Sequence, residues 1–151
     1  NEGLLKKLFE IEIPEITSGI IEIKSVAREA GSRAKVAVYS AVPNIDTVGA
    51  CIGQRGARIK NIVDELNGER IDIVEWKPVV EEFVSAVLSP AVVSNVTILE
   101  DGTARVLVAP SQLSLAIGKN GQNARLAARL TGMRVDIKVI DNETLKEEEN
   151  E

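Results

Sequence analysis

Two four-residue stretches, Gly53-Gln54-Arg55-Gly56 and Gly118-Lys119-Asn120-Gly121, place an amide and a cation between paired glycines. Glycine has no Cβ, so such a corner accepts positive φ and lets another backbone come close. Each corner precedes a run with helical spacing, "ARIKNIVDEL" in one case and "QNARLAARL" in the other. A helix that starts at the second glycine turns unpaired N–H groups and its positive dipole end outward. A phosphate settles naturally there. Arg55, Arg58, Lys60, Lys119 and Arg125 bring charge to the corners, and Gln122 and Asn123 add neutral donors. The chemistry on offer is binding of a phosphodiester chain. One G-x-x-G alone reads more readily as a plain helix–helix corner. Two at matching positions, each preceded by isoleucine (Ile52, Ile117) and flanked by bases, favour a ligand site.

Other chemistries find no residues. The chain has no histidine, which removes the usual acid–base and metal candidates. A phosphate-binding NTPase loop would need Ser or Thr after Lys119 and Gly five before Gly118; the chain has Asn120 and Leu113. Cys51 lacks a base partner in the sequence and reads as a small buried hydrophobe. No catalysis, no metal and no cofactor are expected.

The corners belong to a repeat. Gly53 and Gly118 are offset by 65, "RIDI" at 70–73 answers "RVDI" at 134–137, and "AKVAV" at 34–38 answers "ARVLV" at 104–108. The first copy has five extra residues between that strand and its corner, within "YSAVPNIDTVGAC". Each unit reads as a short helix, two strands, a short helix, the glycine corner, a longer helix and a final strand. Ala30-Gly31-Ser32 and Asp101-Gly102 are the hairpin turns. Ile59, Ile62, Val63 and Leu66 share one face of the first long helix, and Gly68 and Gly132 end the two long helices in the left-handed conformation. Pro14 and Gly19 bracket the first leading helix, "EITS". Pro78 and Pro90 bracket the second, "VVEEFVSAVLS", with proline suited to its first turn. Ile71, Ile73, Val135 and Ile137 are core candidates whose exposed edge, with Ile52 and Ile117, would floor an aliphatic groove.

The expected fold class is α+β, with units at 1–76 (including an N-terminal lead-in), at 77–140, and an acidic disordered tail at 141–151. Units near 65 residues bury little surface alone, so packing against each other would help both. Trp76, the single tryptophan, reads equally as an anchor of that interface and as ordinary core. The net charge of −5 argues against a polyanionic ligand only until its distribution is seen. "DNETLKEEENE" at the C-terminus carries a net −5, so residues 1–140 are neutral, and 102–140 hold six bases against Asp136. The tail reads as solvated chain, with competition for the basic face as a second role. One cysteine fits a reducing compartment, here the cytoplasm, and no apolar run approaches membrane-span length. Beginning at Asn1, the chain reads as a piece of something longer.

"VGACIGQRGARI" and "LAIGKNGQNARLAARLTG" resemble KH domains, and the order with both extra elements first resembles the type II arrangement. "VAREAGSRAKVAVYS", "NGERIDIVEW" and "QLSLAIGKNGQNARLAARLTG" extend the resemblance to the tandem KH pair of bacterial transcription elongation and antitermination factors, from about Leu4 to Ile140. The resemblance implies two three-stranded mixed sheets packed on helices and one extended surface for single-stranded RNA. The implied partner beyond RNA is a transcription complex, with polymerase contacts mostly elsewhere, and the implied state is monomeric. It carries the two glycine corners, Arg58, Gln122, Asn123 and Arg125, and adds Gln112 and Ser114, whose alternative role is loop support. The pattern's large aliphatic residue three past the second glycine is Ile59 in one copy but Ala124 in the other, implying a shallower second groove. With 3% aromatic residues the chain lacks the stacking platforms of other RNA readers. A double-stranded DNA reader with helix–turn–helix units and a protein-interaction scaffold remain as alternatives. "QNARLAARL" partly suits a recognition helix, whereas Asp64 and Glu65 spoil "ARIKNIVDEL".

Overall fold

A computed structural model describes residues 2–140; the tail expected at 141–151 lies outside them. The chain opens with helix α1 (Glu2–Glu12), in the N-terminal lead-in to which the sequence analysis assigns no element. Leu5, Phe9 and Ile13 recur every four residues and are fully buried. Pro14 then starts α2 (Pro14–Thr17) at its first turn, where a missing N–H costs nothing. The "EITS" helix thus exists, shifted by one residue.

Strands β1 (Glu22–Glu29) and β2 (Arg33–Tyr39) form the expected antiparallel hairpin, with Val26 opposite Val36. Helices α3 (Thr47–Ile52) and α4 (Ala57–Glu65) cross over to β3 (Arg70–Glu75), which pairs parallel to β2. Such a crossover is what parallel pairing demands. The second unit repeats the order: α5 (Val80–Val87), β4 (Asn95–Ile98), β5 (Ala104–Val108), α6 (Leu113–Ile117), α7 (Gln122–Thr131) and β6 (Val135–Val139). Its sheet also runs β4-β5-β6, antiparallel then parallel. Pro78 falls just outside α5 rather than in its first turn, because Val79 is the cap.

Strand alternation explains how the units join. Ala34, Val36 and Val38 of β2 face Leu5, Phe9, Cys51, Ile62 and Leu66 in the first unit's own core. Ala37 of β2, with Ala27 and Val74, faces away and joins a second core with Phe83, Val87 and Leu88 and with Val106, Leu126 and Leu130. One apolar cluster therefore spans both units. Trp76 serves both roles proposed for it: half-buried, it meets the ring of Tyr39 edge-on at 5.2 Å and that of Phe83 at 6.3 Å.

The same buried face of β2 carries two cations. Lys35 is fully buried, its Nζ 2.9 Å from Asp72 Oδ2 on β3 and 2.9 Å from the Ser89 carbonyl oxygen. Arg33 donates through Nε to the same Asp72 oxygen at 3.0 Å. Burial pushes the Lys35 ammonium down to about 8. Burial pulls Asp72 upward, but Lys35 and Arg33 outweigh it and hold the carboxyl below its usual range. Lys35 stands opposite Asp72 in the β2–β3 register and Arg33 reaches the same carboxylate from two residues away, so each charge is paired. The further bonds to Ser89 and Asn123 suit a device that fixes how two units dock.

Candidate nucleic-acid interface

The two glycine corners are superimposable in backbone terms. Gly53 and Gly118 have φ/ψ of 80°/172° and 79°/168°. Arg55 and Asn120 follow at 54°/26° and 56°/26°, then Gly56 and Gly121 at 74°/16° and 75°/10°. Two successive left-handed residues reverse the chain, and the second glycine's N–H donates to the first glycine's carbonyl at 3.1 Å in both corners. No side chain caps α4 or α7. The positive dipole end of each helix is therefore left for an outside acceptor.

The first glycine is dictated by crowding as well as by φ. A Cβ on Gly53 would lie 2.8 Å from Arg58 Cγ, and one on Gly118 would lie 2.7 Å from both the backbone nitrogen and Cβ of Asn123. The second glycine faces open space, with nothing nearer than 4.0 Å at Gly56 and 3.8 Å at Gly121.

The predicted site residues divide into three groups. Gln54, Arg55, Lys119 and Asn120 project from the corners and are exposed; among the described residues Arg55 and Lys119 have no ion-pair partner. Ile52 and Ile117 sit 37% and 39% exposed just before them, as a groove edge requires, and Ser114 is exposed one turn earlier. Ile71, Ile73, Val135 and Ile137 all pack against the cores, and Ile73 also lines a groove of about 330 Å³ with Val48 and Ala91.

A second group is present but engaged. Lys60 pairs with Asp64 at 3.0 Å on the exposed flank of α4. Arg58 binds both Glu15 oxygens, at 3.0 and 2.9 Å, and the Ala50 carbonyl. Gln112 accepts from the Val92 N–H at 2.9 Å, the loop-supporting role. Arg125 holds Glu29 of β1 at 2.6 and 2.8 Å and the Asn120 carbonyl at 3.1 Å. Gln122 donates to Glu29 and to Ser32.

Asn123 differs from its expectation. Its side chain is fully buried, donating to the carbonyls of Leu88 and Ala116 and accepting from Arg33, so no donor is left to offer a ligand. The sequence also gave no notice of Arg70, which with Ser114, Gly118, Lys119 and Gln122 lines a cleft of about 310 Å³ between the units.

Glu29 is the electrostatic hub between β1 and α7. Hydrogen bonds from Arg125, then from Gln122, and the charges of Arg125 and Arg129 hold its carboxyl down to about 2. Its folded value lies below the ordinary carboxylate range, so its contribution is whole above about pH 4.5 and is lost as pH falls toward 2. The difference in unfolding temperature between the protein and a Glu29→Gln variant should therefore shrink between pH 5 and pH 2.5. A constant difference would show that this contact does not couple the units.

Cys51 is fully buried and its thiol is pushed up to about 11, chiefly by burial, which keeps it from acting as a nucleophile. No cluster of potential metal ligands and no helix long and apolar enough to cross a membrane occurs among the described residues.

Two units of this topology, each with a G-x-x-G corner between two helices, define a pair of KH domains in tandem. Family models agree unit by unit: a NusA-like first KH domain matches residues 1–76 and a NusA-like second KH domain matches 80–145. The chain belongs to the NusA-like KH family. It is 56% identical over 137 residues to the transcription termination/antitermination protein NusA of Bacillus subtilis, covering 90% of this chain and 37% of that protein. The Thermus thermophilus protein of the same name is 47% identical over 148 residues, covering 97% of this chain and 38% of its own length. The chain thus spans little more than a third of these relatives. The crystal structure of APE1850 shares the fold, with a TM-score of 0.64 over 89% of this chain and 95% of that one at 23% identity.

Proposed function

We propose that the paired units bind single-stranded RNA through both glycine corners on one extended surface, within a factor acting in transcription elongation, termination and antitermination. The observation that carries this reading is the duplication of one corner, with matching dihedral angles, an uncapped helix start and a projecting cation at Arg55 or Lys119. The family's relatives, named as transcription termination and antitermination proteins, support the cellular setting, a cytoplasmic one. The nascent transcript is then the ligand and the transcription complex the larger partner, with this monomeric pair as an RNA grip rather than a catalyst. The contacts come from Gly53, Gln54, Arg55, Gly56, Ile117, Gly118, Lys119, Asn120 and Gly121, with Arg58, Lys60, Gln112, Ser114, Gln122 and Arg125 around them. Asn123 contributes by shaping its corner.

The competing double-stranded DNA reading asks α7 to enter a major groove. Its candidate reading side chains, Gln122, Arg125 and Arg129, are turned toward Glu29 of the first unit, and its apolar face is core. That face is tied to the first unit by these contacts rather than presented free to a groove. A binding comparison of an unstructured RNA, the same DNA and duplex DNA at two salt concentrations tests the proposal. RNA should bind best, with a shallow salt dependence reflecting few phosphate contacts. Equal or tighter duplex binding would refute it.

A further inference from the structure

The two corners share a backbone but are braced by different partners. Five positions after the first glycine stands Arg58 in one corner and Asn123 in the other, each directly beneath that glycine. Each reaches back to a carbonyl of the preceding helix, Arg58 to Ala50 at 2.8 Å and Asn123 to Ala116 at 3.0 Å. There the likeness ends. Arg58 is anchored by Glu15 in its own unit. Asn123 is anchored by Arg33 of the neighbouring unit, whose Nη2 donates to Asn123 Oδ1 at 2.8 Å. The orientation of the amide is fixed by chemistry. Leu88 and Ala116 present carbonyls, which only the NH2 end can satisfy, and Arg33 presents only donors. Arg33 is itself held by Asp72.

We infer that Arg33 is a positioning residue for the second corner: the first unit's sheet holds Gly118–Gly121 in its ligand-ready shape through Asn123. The second grip then depends on the first unit, while the first grip depends on Glu15 of α2 in its own unit. This rests on the RNA-binding reading for its functional consequence, but not for its structural one. Removing Arg33 leaves a fully buried Asn123 oxygen without its charged donor, and the amide must turn or shift to find another. Because Asn123 lies in contact distance of where a Gly118 Cβ would be, its movement is transmitted to the corner.

The test introduces Arg33→Met into two backgrounds, each with one corner disabled by aspartates. Q54D/R55D leaves the second corner to report, and K119D/N120D leaves the first. Affinity for an unstructured RNA oligomer should fall about tenfold more in the first of these backgrounds than in the second, the scale of one lost charge-assisted hydrogen bond. Independently of RNA, the backbone amide resonances of Gly118 and Gly121 should move in Arg33→Met, and those of Gly53 and Gly56 should not. Arg33→Lys keeps a charge for Asp72 should the methionine variant fail to fold, and should shift the same amides. Equal losses in both backgrounds, or unmoved Gly118 and Gly121 resonances in the folded variant, would overturn the inference. If neither background binds RNA, the functional reading fails while the resonances still decide the bracing.

Discussion

Changing Gln54-Arg55 and Lys119-Asn120 to aspartates in one protein should abolish single-stranded RNA binding and leave the fold intact. Each corner goes from one positive to two negative charges, at sites that are exposed. The negative charges would face an incoming phosphate at the positive helix ends, reversing the attraction that the sites depend on. The fold tolerates this for a local reason. Arg55 and Asn120 occupy the left-handed region at φ 54° and 56°, where Asp is among the better-suited residues. No side chain at these four positions is buried, so each substitution should change unfolding free energy by about 0.5 kcal/mol or less. Disabling one corner converts a two-point attachment into a one-point attachment, with a loss on the order of a hundredfold. Disabling both should take affinity beyond detection by fluorescence anisotropy. Unchanged affinity in the four-residue variant, with a normal unfolding temperature, would refute the assignment of the corners.

Much of this arrangement is legible in the sequence. The repeat, both hairpin turns and the glycine corners announce themselves because turn chemistry is local: Asp101-Gly102 and the paired glycines state their own backbone conformation. Helix α1 was missed because Leu4 and Ile11 are apolar but exposed, which blurs the four-residue spacing of Leu5, Phe9 and Ile13. The network at Arg33, Lys35 and Asp72 was invisible for a different reason. Alternation in "RAKVAVY" assigns those cations to a solvent face, and only the docking of α5 and α7 turns that face inward. Asn123 follows Gln122 in a polar pair that invites one reading for both. The available clue was its alignment with Arg58, since a position filled by such different side chains under one glycine has to be supported differently in each unit.

The two glycines of a corner should respond very differently to alanine. Gly118→Ala meets two costs. Its φ/ψ of 79°/168° is a region open essentially to glycine alone, worth about 1–3 kcal/mol. Its Cβ would also come within 2.7 Å of the Asn123 backbone nitrogen, and overpacking of a fixed neighbour costs about 1–3 kcal/mol more. Asn123 cannot step aside, because Leu88, Ala116 and Arg33 hold its side chain. Gly53→Ala should cost less, since its nearest obstacle is the Cγ of the half-exposed Arg58. At Gly121 the conformation is ordinary left-handed helix with open space around it, so alanine should cost only about 1–2 kcal/mol. For a chain of this size Gly118→Ala should then lower the unfolding temperature by roughly 10 °C and Gly121→Ala by a third to a half of that. Thermal unfolding of the three variants measures the order directly, and equal shifts at Gly118 and Gly121 would contradict it. RNA affinity should rank differently: Gly121→Ala, though milder for stability, adds a methyl group on the open side where a sugar–phosphate backbone must come close. A loss of binding that exceeds its loss of stability would separate the glycine that builds the corner from the glycine that admits the ligand.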